Sequence, residues 1–219
     1  MDIDEKLLKS TLNGDLNQTK ECLAQEANVN FNNNEHYSPP IIAVAIKGHL
    51  EIAKLLIEYG ANVNATSSYG DKYYSTALIE SASKGHLEHL EIAKLLIEHG
   101  ADVNAKNCNG WSPLMVASNR GYMNDQNKQS LAFCKFLIKN GANVNAKNED
   151  GETALMIASA VGKMEVVKLL IKNGAKLEIK NKKNQTAIDI AKGNGWHNIA
   201  QFLKSQKIKK ISHDNEMRF

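Results

Sequence analysis

His86 and His89 stand three residues apart, a spacing that puts two imidazoles on one face of a helix, where they could ligate a metal ion. No further ligand is spaced to close such a site. Cys22, Cys108 and Cys134 are an odd number of cysteines without CxxC or metal-ligand spacing, so neither a disulfide framework nor a zinc site is indicated. Cys22 and Cys134 read as small apolar residues on helices, and Cys108 as a thiol at a turn, with nothing basic nearby in sequence to lower its pKa. HExxH, GxSxG, a Walker-type glycine loop and a dinucleotide fingerprint are all lacking, so no catalytic residue, cofactor or metal is expected. The remaining chemistry is recognition: Tyr73, Tyr74, Trp111 and Arg120 have the Tyr/Trp/Arg composition of interface hot spots.

Composition sets the class. The chain of 219 residues is 42% hydrophobic and 23% charged, inside the ordinary range for a folded soluble protein. A net charge of +3 does not announce a nucleic-acid or membrane partner, although residues 163–219 hold 13 Lys and Arg against 5 Asp and Glu. The start, Met1-Asp2-Ile3-Asp4-Glu5, lacks the basic and apolar regions of a signal peptide, and no apolar run reaches the ~18 residues of a membrane span. A soluble cytoplasmic protein, bound to no nucleic acid and no membrane, is the expectation.

The elements that position these residues come from a repeat. Gly48-His49-Leu50-Glu51-Ile52-Ala53-Lys54-Leu55-Leu56-Ile57-Glu58-Tyr59-Gly60-Ala61-Asn62-Val63-Asn64-Ala65 returns with edits over 85–105, 121–146 and 162–177. Its helix-ending glycines Gly60, Gly100, Gly141 and Gly174 lie 40, 41 and 33 residues apart, and Glu26 takes the glycine's place in an earlier copy. Within a unit, a Ser or Thr can cap a short apolar helix, as Ser112 before Pro113-Leu114-Met115 and Thr153 before Ala154-Leu155-Met156. A glycine ends that helix, and a second follows with Ile52, Leu55 and Leu56 at the spacing of one buried stripe.

Gly110-Trp111-Ser112-Pro113-Leu114-Met115-Val116-Ala117 and Gly151-Glu152-Thr153-Ala154-Leu155-Met156-Ile157-Ala158, each closed by a glycine, resemble the repeat pattern of ankyrin-repeat proteins. The resemblance implies an all-α fold, a solenoid of helix-turn-helix units of about 33 residues joined by β-turn or hairpin loops. Six units are drawn over 1–33, 34–70, 71–106, 107–147, 148–180 and 181–205, the first and last as caps, forming one domain over 1–205. A basic tail over 206–219 reads as a helix extension with a mobile end. The family's first-helix histidine is replaced by Ile42, Ile79, Met115, Met156 and Asp189, so these units are expected to lean on apolar packing. His49 and His86 fall at the family's Gly-His corner, which implies packing roles.

Elaboration falls in the third and fourth units. The turn around residues 66–74 is four residues longer than its counterparts, Gly85-His86-Leu87-Glu88-His89-Leu90-Glu91 holds a duplicated His-Leu-Glu, and 122–129 reads as a polar loop. In proteins of this family, turn tips and the exposed side of the first helices grip a partner. On this chain the resemblance puts that surface at Tyr37, Lys47, Tyr69, Lys72, Tyr73, Tyr74, Lys84, Asn109, Trp111, Asn119, Arg120, Glu149, Asp150 and Glu152. It implies a monomeric, non-enzymatic module that binds another protein. Two alternatives stay open, a regulatory or enzymatic role in the inserted segments and targeting by the basic tail. Richness in Asn, Ile and Lys suits an AT-rich genome, and a host-delivered bacterial effector is one form the partner-binding function would take.

Overall fold

The computed structural model describes residues 2–32, 38–67, 74–119 and 124–216. Twelve helices occur among them, and their only β pairing is an isolated antiparallel bridge between Thr66 and Thr76. The chain clusters into two compact units, Met1–Ala117 and Ser118–Phe219. The first contains α1 (Ile3–Asn13), α2 (Leu16–Ala24), α3 (Pro40–Lys47), α4 (Leu50–Glu58), α5 (Ala77–Lys84), α6 (Leu87–Glu98) and most of α7 (Pro113–Asn119). The second contains α8 (Asn124–Lys139), α9 (Ala154–Ala160), α10 (Met164–Lys172), α11 (Ala187–Gly193) and α12 (His197–Glu216).

In the first unit α1, α3 and α5 pack side by side, and α2, α4 and α6 form a second layer against them. A helix held between two neighbours and a covering layer has little surface left for water. Accordingly Ile41, Ile42, Ala43, Val44 and Ala45 of α3 are all buried, the alanines letting adjacent backbones approach. The covering helices keep a wet face, so only a stripe is buried: Ile52, Ala53 and Leu56 in α4, Ile92, Ala93 and Leu96 in α6. Each such Ile or Leu contributes about 1.5–3 kcal/mol by leaving water. In the second unit α9 packs on α11, and α10 covers α9 with Val166, Val167 and Leu170.

The caps follow the expected chemistry. Thr76, Thr153 and Thr186 hydroxyls accept from the Ile79, Met156 and Asp189 N–H groups, and Asp189 completes a capping box whose hydrogen bonds hold its carboxyl below the usual range. Pro40 opens α3 without a side-chain cap, its missing N–H being one that needs no partner there.

Between helix pairs, the two asparagines of each Ala-Asn-Val-Asn segment divide the work. The first accepts locally, as Asn62 Oδ1 does from Asn64 N at 3.0 Å, and Asp102 substitutes for it because accepting is all that is asked. The second reaches the next repeat: Asn64 Nδ2 donates to Gly100 O at 2.9 Å while its Oδ1 accepts from Asp102 N at 2.8 Å. Asn30 does the same with Gly60 and Asn62, and Asn145 with Gly174 and Lys176. The amide both donates and accepts whereas an ionised carboxylate only accepts, so Asp cannot serve there.

Three expectations change. Residues 124–129 belong to helix α8, not to a loop, because the polar insertion extends a helix that apolar residues anchor further on. The duplicated His-Leu-Glu likewise lengthens α6 to 12 residues against 9 in α4. With that added turn, His89 and not His86 takes the packing position: His89 is buried, its ring covering Gly48, whereas His86 is exposed at the helix start. The C-terminal segment continues α12 to Glu216, and residues 217–219 lie outside the described ones.

Candidate functional site

The turn tips are built by one asparagine each. Asn107 Oδ1 accepts from Asn109 N at 3.0 Å and Trp111 N at 2.9 Å; Asn148 Oδ1 accepts from Glu152 N, and Asn181 Oδ1 from Lys183 N and Gln185 N. Main-chain bonds from Asn107 N to Trp111 O, Asn148 N to Glu152 O and Asn181 N to Gln185 O close the same hairpin each time. In the enlarged turn Ser67 replaces the asparagine, its Oγ accepting from Ser75 N at 3.0 Å, with Ser67 N bonded to Ser75 O. Tips also tie to their neighbours, Cys108 N donating to Tyr74 O and Lys182 N to Asp150 O.

On this frame, Tyr74 is 47% exposed, a large aromatic side chain left in water. Beside it lies a hollow of about 300 Å³ in the first unit. Tyr74, Ser75 and Ser67 of the enlarged turn line it with Asn107, Cys108 and Asn109 of the next tip, Ser38 and Glu80. Trp111 is half-buried at the base of its tip. Lys47 and Lys84, the last residues of α3 and α5, are exposed at equivalent positions, and Asn119 is exposed at the end of α7. Tyr37, Tyr69, Lys72, Tyr73 and Arg120 lie outside the described residues.

In the second unit Glu149 and Asp150 are exposed on one tip. Glu152 is half-buried, and its carboxylate accepts from Asn148 Nδ2 at 3.1 Å, which ties it into the hairpin.

Glu80 is the residue that sequence reasoning passed over. It is the fourth residue of α5, where α3, α7, α9 and α11 carry Ala43, Val116, Ile157 and Ile190. Its carboxylate, at a position that is apolar in those four helices, is the signal the sequence carries for it. Three ion pairs form among the described residues, Glu51–Lys54, Glu91–Lys94 and Glu165–Lys168, and Glu80 is in none of them.

No constellation for covalent chemistry assembles among the described residues. The rings of His86 and His89 are 5.6 Å apart, but His89 Nε2 lies 3.3 Å from Ile46 O, and no group of three His, Cys, Asp or Glu side chains is placed to hold a metal. Burial pushes the Cys134 thiol up to about 11, against a hydrogen bond from the Ser118 side and the charge of Lys163, so it is a protonated, unreactive thiol at neutral pH. Cys22 is buried as well, and Cys108 is half-buried at its tip. No described helix is long and apolar enough to cross a membrane.

The family described as ankyrin repeats matches the chain in three copies, over residues 7–107, 68–125 and 123–214. No curated protein matches it.

Proposed function

Since the chain belongs to the ankyrin-repeat family, whose repeats are generally protein–protein interaction modules and typically non-catalytic, we propose that it binds a partner protein through the first unit's tips and first-helix ends. The observation that carries this is Tyr74, 47% exposed and lining a hollow of the first unit. An aromatic side chain held in water by a hairpin gains on association what it forgoes in the free protein. Lys47 and Lys84 add exposed cations at the ends of α3 and α5, and Asn109 and Trp111 stand on the next tip. Glu149 and Asp150 offer a separate acidic tip in the second unit. The protein acts as a monomer with one repeat domain over 1–205.

A partner isolated by affinity capture supplies the test. Tyr74→Ala combined with Lys84→Ala should weaken its binding about tenfold or more, with the thermal unfolding midpoint unchanged because both side chains are exposed. Unaltered affinity in the double variant would move the interface elsewhere.

A further inference from the structure

Glu80 specifies what the partner presents, and the inference rests on the partner-binding reading above. We propose that the hollow beside Tyr74 receives a cationic side chain of the partner protein, an arginine in preference to a lysine.

The first argument is charge. Of the six first helices aligned on their corner glycines, α3, α7, α9 and α11 place an apolar residue five positions before the glycine, the first helix of the chain places Lys9 there, and α5 alone places a carboxylate. Glu80 is half-buried and lines the hollow. Lys84, one turn further along the same helix, forms no ion pair with it, so among the described residues the carboxylate has no salt-bridge partner. An apolar side chain entering the hollow would strip water from Glu80 and leave the charge without a counter-ion, which is strongly unfavourable. A cation removes that penalty.

The second argument is shape and hydrogen bonding. Tyr74 lines the hollow, and an exposed phenol ring is a surface on which a planar guanidinium can stack. Ser75 also lines it, and the buried Ser75 Oγ has no hydrogen-bond partner among the described residues. Ser38, Ser67 and Asn107 add further oxygens. Arginine carries five N–H donors in a fixed fork and no acceptor, so it can meet a carboxylate and several neutral oxygens together; an ammonium has three donors around one point. A volume of about 300 Å³ holds one long side chain and not a folded element.

The test needs no identified partner. The full chain, labelled with nitrogen-15, is titrated with N-acetyl-arginine-N-methylamide and with the neutral isostere N-acetyl-citrulline-N-methylamide. Saturable shifts are expected at the amides of Ser75, Glu80 and Asn107 to Asn109 with arginine, at a dissociation constant on the order of 10 mM for a single side chain. Citrulline should bind about fivefold more weakly or worse, and Glu80→Gln should abolish the difference between the two while keeping the unfolding midpoint. Equal shifts with citrulline, no saturable shift with arginine, or full arginine preference in Glu80→Gln would each overturn the proposal; the first two use the unaltered protein and do not depend on the variant folding. Arginine binding without any captured partner leaves the hollow standing and removes the partner reading. A captured partner that depends on Tyr74 and Lys84, with no arginine preference at the hollow, does the reverse.

Discussion

In the first unit the ring of His89 covers Gly48 and brings Nε2 to 3.3 Å from Ile46 O; in the second the ring of Trp196 covers Gly162 and Nε1 donates to Ala160 O at 3.0 Å. Each ring lies over a corner glycine of the preceding repeat and meets the carbonyl two residues before it. His49 sits likewise over Gly14. The slot therefore asks for a flat side chain with a polar edge, and imidazole and indole both satisfy it. Lys163, which follows Gly162 as His49 follows Gly48, shows what happens without a ring: its side chain is buried and its ammonium reaches Ser130 Oγ at 2.9 Å. The difference teaches that the joint between repeats is fixed by geometry and that its chemistry is free to vary, from a flat ring to a buried lysine side chain. The extra turn in α6 fits the same lesson, since three added residues leave His89 on the face that meets Gly48.

The sharpest way to break the comparison is to fill the slot. A Cβ on Gly162 would overlap the six-membered ring of Trp196, and the φ of 78° at that residue adds strain for any side chain. Gly60 has a similar φ of 84° but nothing within 4 Å of its would-be Cβ. Gly60→Ala should therefore cost about 1 kcal/mol, the backbone penalty alone, and Gly162→Ala about 3 kcal/mol or more, since the indole must leave its carbonyl and its packing. Denaturant unfolding of the two variants measures the difference. Equal losses would mean that the ring is not confined and that the slot does not hold the repeats together.

A smaller effect separates the units by pH. The Cys134 thiol, in the second unit with Ser130 and Lys163 nearby, is pushed up to about 11 from the ordinary 9.0, chiefly by burial. Between those values the unfolded chain releases a proton that the folded chain keeps, so stability falls as pH rises, by up to about 1.4 kcal/mol per pH unit from this group. Below pH 9 the contribution is complete. Relative to Cys134→Ala, the protein should lose about 2 kcal/mol more between pH 8 and pH 10.5, read from urea unfolding at the two pH values. Parallel losses would remove the thiol from the account and leave the lysines and tyrosines as the alkaline liability.

Much of this architecture was legible because it depends on periodicity. Ser112, Thr153 and Thr186 announced helix starts, the glycines announced their ends, and the buried stripes of α4 and α10 follow from Ile52, Leu56, Val166 and Leu170 at helical spacing. Periodicity says less about an insertion, since polar residues ahead of an apolar helix are equally compatible with loop and with helix; residues 124–129 continue α8 because its apolar residues already hold the axis. The recurrence of Asn30, Asn64 and Asn145 was visible, yet their bonds to the following repeat join residues 29–38 positions apart, which no local window reveals. At the candidate surface, Lys47, Tyr74 and Lys84 are legible from their places in the unit, whereas Glu80 stands out only through the hollow it lines.

The least costly contrast between repeats is a single backbone conformation. Glu26 holds φ at 61° where Gly60, Gly100, Gly141 and Gly174 hold 83° to 90°. The surrounding bonds are the same: Glu26 N to Leu23 O and Ala27 N to Cys22 O match Gly60 N to Ile57 O and Ala61 N to Leu56 O. An L side chain in that region carries a penalty from its Cβ, and the Glu26 side chain is exposed. Glycine relieves the strain but adds freedom to the unfolded chain, so the net gain from Glu26→Gly should be about 0.5–1 kcal/mol. A higher urea midpoint at an unchanged m-value would carry the repeat logic through to the first unit of the chain. A lower one would show that the first turn has its own conformational rule, set by Asp4 accepting from Asn28 N at 2.7 Å just beyond it.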